Sequence, residues 1–197
     1  MTNKVTPLDP ELQQFIDACQ ECVQSHHEAA DCVTAIAPQM LKLLAGGRRF
    51  LKPEHLRTDP DHYARNAIYI AEDDCLSLFV LVWKPGQWTP VHDHGTWGVV
   101  GVVEGILEER NFITTQHDLS SNRDIDLLKG GSILLTEGAV TTFVPNPDHI
   151  HKTGVPESRN QAVTLHLYGR ELSNFHVYDL EARTRRFIDV THNESLI

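Results

Sequence analysis

From about residue 60 onward, apolar residues recur at every second position in short runs parted by turn residues, a pattern that buries itself only by laying strands on strands. Leu76, Leu78, Val80 and Val82 alternate with Ser77, Phe79, Leu81 and Trp83, which predicts a strand covered on both faces. Lys84-Pro85-Gly86 then turns the chain. Further strands are predicted over 97–103, 106–114, 132–135, 140–144, 162–168, 175–180 and 183–190, with turns at Glu104-Gly105, Gly130-Gly131, Glu137-Gly138 and 156–160. The polar stretch 115–126 reads as an exposed loop. No helical period intervenes, so the expected architecture is mainly β, a sandwich or barrel.

The first sixty residues have a different period. Asp9-Pro10-Glu11 signals a helix start, and Leu12, Phe15, Ile16, Cys19, Cys22 and Val23 then recur at three- and four-residue spacing. That spacing places Cys19 and Cys22 on a buried face, so their C-x-x-C is read as reduced core thiols rather than a metal or redox pair. A second helical stretch is expected over 28–44, interrupted at Pro38 and ended by Gly46-Gly47. The chain thus divides into a helical cap, 1–60, and a β unit, 61–197, forming one structural unit.

Charge narrows the partners. Lys and Arg total 17 against 27 Asp and Glu, a formal charge of -10 with no basic run, which argues against a grip on nucleic acid or an anionic membrane. The apolar run 76–83 is far short of a membrane span, and the N-terminus carries no apolar signal region, so a cytoplasmic protein is expected.

Histidine is the residue in excess, 12 in 197, and it is the commonest metal ligand. In VHDHGTWGVVGVVEG, residues 91–105, His92 and His94 stand two apart and project to the same side of a strand, with Asp93 facing away. The spacing Gly86-x5-His92-x-His94-x3-Gly98-x6-Gly105 resembles the first motif of the cupin superfamily, whose fold is a double-stranded β-helix barrel. Gly98 departs from it, since most metal cupins carry a liganding glutamate there. The second cupin motif supplies a later histidine, and Gly138…Pro145…His151 resembles a degenerate form of it, which favours His151 over His149 as the third ligand. Three neutral imidazoles leave the +2 charge of a divalent ion uncompensated, a site suited to a substrate arriving as a thiolate or enolate.

Two further segments narrow the resemblance to the cysteine dioxygenase family. AVTLHLYG, residues 162–169, resembles its S-L-H-x-Y segment, which implies an outer shell of Thr164, His166 and Tyr168 with the tyrosine hydroxyl beside substrate and oxygen. YARNAIYI, residues 63–70, resembles the stretch in which an arginine pairs with the substrate carboxylate, which implies that role for Arg65 with Tyr63 beside it. Relatives acting on 3-mercaptopropionate carry glutamine there and an arginine on a later loop; the matching position here falls near Phe175, although Arg170 is a nearby cation. Gly98 also stands where mammalian members have a cysteine crosslinked to the tyrosine, so Tyr168 should be unmodified. The family implies iron(II) held by His92, His94 and His151, with L-cysteine and O2 converted to the sulfinic acid in a monomer or weak homo-oligomer. The rival expectations are 3-mercaptopropionate or β-diketone chemistry on the same site, and a metal-binding or ligand-sensing cupin without turnover.

Overall fold

In the computed structural model, which describes residues 7–114, 116, 121–145 and 149–193, Asp9 caps helix α1 (Pro10–Ser25) by accepting the Glu11 N–H at 2.9 Å. Leu12, Phe15, Ile16 and Cys19 form its buried face, at the spacing read from the sequence. Helix α2 (Ala29–Leu44) closes ahead of Gly47, which takes a φ of +65°. The expected interruption at Pro38 does not occur, and α2 runs straight through it. An internal proline costs about 3 kcal/mol. Against that, Cys32, Val33, Ile36, Met40, Leu43 and Leu44 are all buried along α2, and each large side chain contributes ~1.5–3 kcal/mol. Burial outweighs the lost hydrogen bond.

Eleven strands follow among the described residues: β1 (Ala64–Ile70), β2 (Ser77–Trp83), β3 (Val91–His92), β4 (Gly98–Glu104), β5 (Ile106–Thr114), β6 (Leu127–Thr136), β7 (Val140–Phe143), β8 (Ile150–Gly154), β9 (Ala162–Tyr168), β10 (Asn174–Asp179) and β11 (Thr184–Asp189). They form two antiparallel sheets in the orders β1-β2-β9-β4-β7 and β11-β10-β3-β8-β5-β6, a jelly-roll arrangement. Leu78, Val80 and Val82 of β2, with Val163, Leu165 and Leu167 of β9, share a core with the helices. Their alternating neighbours Phe79, Leu81, Trp83, Ala162 and Tyr168 face Leu107, Leu135 and Phe175 of the second sheet. The two helices therefore cover the outside of the first sheet, which explains why β2 and β9 are buried on both faces.

The turn expected at Gly130-Gly131 is instead the middle of β6. Arg110 pairs with Ser132 and Phe112 with Lys129, so two residues of β6 oppose Asn111 alone. That is a β-bulge, and a Cβ on Gly130 would lie 3.0 Å from the Asn111 carbonyl oxygen. Strands β1 and β8 lie outside the predicted runs, and the strand expected to carry both His92 and His94 is shorter: β3 ends at His92, with His94 just beyond it. Of the expected loop 115–126, residues 115 and 117–120 lie outside the described residues; the rest is irregular, with Ile125 buried. No helix among the described residues is long and apolar enough to cross a membrane.

Candidate metal centre

Strands β3 and β8 bring His92 directly opposite His151, and the chain leaving β3 delivers His94 beside both. One ligand nitrogen from each of His92, His94 and His151 lies within 4.8 Å of the others, and all three residues are buried. Asp93 points the other way, as its alternation requires. It accepts the His176 backbone N–H at 3.0 Å and the Tyr178 hydroxyl at 2.9 Å, and its carboxylate lies 3.1 Å from His176 Nδ1. This pegs the backbone between the two imidazoles to β10.

The hydrogen-bond partners also decide where the ring protons sit. His92 Nδ1 lies 3.0 Å from the Pro90 carbonyl, which can only accept, so Nδ1 carries the proton and Nε2 keeps its lone pair. His151 Nδ1 lies 3.4 Å from the Glu109 carboxylate without a hydrogen bond between them, and the nearby negative charge favours the proton on Nδ1 and a bare Nε2. His94 Nδ1 and both ring nitrogens of His151 are buried without a hydrogen-bond partner, and a metal ion at His94 Nδ1 and His151 Nε2 would remove that cost there. Burial pushes the His92 and His94 imidazoles far below the ordinary histidine range, with like-charge neighbours adding to the shift. Burial lowers His151 too, against the opposing pull of Glu109. Neutral imidazoles are what metal ligation needs. The donor set fits a divalent transition metal.

Gly98, at the position where a glutamate ligand was expected to be missing, sits directly opposite Phe143. A Cβ there would lie 2.3 Å from Phe143 Cζ. The phenyl ring instead stacks on His94, with centroids 4.3 Å apart. Glycine at 98 and phenylalanine at 143 thus exclude a fourth protein ligand from that side.

Across the cavity, Thr164, His166 and Tyr168 share the inward face of β9 in one hydrogen-bonded row. Trp83 Nε1–H donates to Thr164 Oγ1 at 2.9 Å. Thr164 Oγ1 lies 2.9 Å from His166 Nε2 and 3.5 Å from the Leu81 carbonyl, so its proton goes to the nearer acceptor, His166. This assigns the remaining imidazole proton to Nδ1, which points at the Tyr168 hydroxyl oxygen at 3.2 Å. Tyr168 accepts, and its own proton is left for the cavity. Burial lowers His166 to about 3 and raises Tyr168, so both are neutral.

Arg65, on the inward face of β1, is 8 % exposed and lies 4.7 Å over the Phe79 ring. Its Nη2 donates to the Leu172 carbonyl at 2.7 Å, whereas Nη1 is buried with no partner. Tyr63 stacks on Trp83 at 4.5 Å. Tyr63, Arg65, His92, His94, His151, His166 and Tyr168 all line one cavity of about 20 Å³, with Thr164 behind His166. Phe175 closes its side against His92. Arg170 does not reach the cavity: its guanidinium donates to the carbonyls of Glu171, Asn174 and His94 and to Asn174 Oδ1. It holds the backbone of His94 at 3.0 Å rather than a ligand. His149 is also outside the cavity lining. It joins Glu109 and His151 in a second group of close donors.

Glu109, Phe143 and Asp93 escaped assignment from the sequence. For Glu109 a signal existed: it shares the inward phase of β5 with Leu107, an unusual place for a charge.

Among solved structures, a cupin-like protein from Thermotoga maritima is 13% identical, with 66% of this chain and 82% of that one covered at a TM-score of 0.41. A conserved protein with a double-stranded β-helix domain from Klebsiella pneumoniae is 15% identical, with 66% and 97% covered at 0.43. A family model described as cysteine dioxygenase type I matches residues 50–183, which spans more than half of the chain and every residue of the cavity described above. The chain belongs to the cysteine dioxygenase type I family.

Proposed function

We propose that this protein is an iron(II)-dependent thiol dioxygenase that converts L-cysteine, or a compact thiol carboxylate much like it, and O2 to the sulfinic acid. The observation that carries this reading is the opening of one small cavity onto three neutral imidazoles, a buried guanidinium with a spare donor, and a tyrosine hydroxyl with a spare proton. His92, His94 and His151 would hold the metal from one face. A ferrous ion there would ionise a coordinated thiol and supply the one-electron chemistry that O2 requires.

The remaining work falls to the protein. Arg65 Nη1 takes a substrate carboxylate while Nη2 stays tied to Leu172, which fixes the substrate's orientation. Phe143, Phe175 and Leu172 exclude water and restrict the site to small substrates. Tyr168 directs its proton at the reacting sulfur and oxygen, held by the row through His166, Thr164 and Trp83. The overall stoichiometry is one thiol and one O2 to one sulfinic acid, with both oxygen atoms retained. Arg65 is the one charged side chain lining the cavity among the described residues, where relatives acting on 3-mercaptopropionate carry glutamine, and the position of their later arginine falls near Phe175, which favours cysteine.

Oxygen uptake by anaerobically iron-loaded protein tests this. L-cysteine should draw one O2 per sulfinate formed, faster than 3-mercaptopropionate or acetylacetone. Arg65→Gln should raise KM for cysteine ~10–100-fold, the worth of a charged hydrogen bond. No uptake with any thiol would mean a binding module without turnover, and faster turnover of acetylacetone would mean enolate chemistry.

A further inference from the structure

The Glu109 carboxylate is buried at 4% exposure, and its ion-pair partners among the described residues are His149 and His151. Its Oε2 lies 3.4 Å from His151 Nδ1, and its Oε1 lies 3.4 Å from His149 Nε2. The register explains the placement: Glu109 pairs with Thr153 across β5 and β8, two residues along from His151 on the same face. Burying a carboxylate costs several kcal/mol, and an apolar side chain of similar size would cost less. Sharing its face with the buried Leu107, Glu109 is thus an expensive way merely to fill space.

We propose that Glu109 is a positioning residue for the three-histidine centre: its carboxylate, 3.4 Å from His151 Nδ1, draws the ring proton to that nitrogen, keeps Nε2 bare toward the cavity, and makes the imidazole a stronger donor. An ionised carboxylate can only accept, so the tautomer of His151 follows from its presence. The same charge, one ring away from the metal position, offsets part of the +2 that three neutral ligands leave. The inference rests on the metal reading of the site and not on the identity of the thiol.

The test reads iron(II) affinity, by anaerobic competition with a chelator, and the iron(III)/iron(II) potential, both without thiol. Glu109→Leu should leave the apo-protein's Tm unchanged or higher, weaken iron binding ~10–100-fold, and raise the potential, because a charge favouring the ferric state has gone. Glu109→Gln should move affinity and potential in the same directions. His149→Ala should leave iron affinity unchanged or tighter, because the carboxylate then serves His151 alone. Wild-type affinity and potential in both Glu109 variants would overturn the proposal. Equal damage from His149→Ala would overturn it too, by moving the role of Glu109 to His149 or to a second metal position. Wild-type protein that binds iron but oxidises no thiol would sink the proposed function and leave this inference standing; wild-type protein that binds no iron would end both.

Discussion

Replacing Thr164 with valine keeps the shape of the side chain and removes only its hydroxyl. Two buried groups then lose their partner at once, the Trp83 Nε1–H and His166 Nε2, in side chains 0% and 3% exposed. Each buried polar group left unpaired costs ~1–3 kcal/mol, so Thr164→Val should lower the unfolding free energy by about 2–6 kcal/mol. The consequence for turnover is separate. Without the threonine proton, nothing holds the His166 proton on Nδ1, and the Tyr168 hydroxyl is free to turn its own proton onto that nitrogen and away from the cavity. Hydrogen bonds of this outer kind shift activity ~10–100-fold. The assay is urea unfolding together with iron content, kcat and KM: stability and kcat should fall, while iron content and KM for the thiol stay near wild type. Thr164→Ser restores the hydroxyl and should restore both quantities. Wild-type kcat in Thr164→Val, or loss of iron, would refute the reasoning that Tyr168 is aimed through this row.

The acid stability of the apo-protein follows from four imidazoles that burial depresses, His92, His94 and His151 in direction and His166 to about 3. Between the folded values and about 6.5 the unfolded chain binds more protons, so stability must fall as pH drops below ~6.5, by at most ~1.4 kcal/mol per pH unit for each imidazole. Urea midpoints at pH 7.5 and 5.5 check this, and equal midpoints contradict it. Gly98→Ala puts a Cβ 2.3 Å from Phe143 Cζ and should cost ~1–3 kcal/mol through overpacking. Phe143→Leu should relieve most of that cost in a double-mutant cycle, and additivity of the two changes would show that they do not meet.

Much of this could be read from the residues because period-two alternation assigns faces without coordinates. Thr164, His166 and Tyr168 fall inward on β9 as alternation requires, and the buried turns of α1 follow from Leu12, Phe15, Ile16 and Cys19. What escaped depends on register between distant strands. Nothing local says that Phe143 lies against Gly98, that Glu109 lies diagonal to His151, or that Arg170 spends its donors on the His94 carbonyl. Gly130-Gly131 resembled a turn because a glycine pair signals backbone crowding without saying whether the crowding is a reversal or a bulge. Pro38 resembled a break because the sheet that buries α2 is far away in sequence.

In the proposed site the imidazoles of His92, His94 and His151, and no carboxylate, form the protein's share of one metal centre that leaves room for sulfur. X-ray absorption on the iron(II)-loaded protein under anaerobic conditions, with and without L-cysteine, tests it most directly. The resting spectrum should show imidazole scattering from three ligands, and a new sulfur scatterer should appear when cysteine is added. A spectrum unchanged by cysteine, or one that requires the Glu109 carboxylate bound to iron, would contradict it.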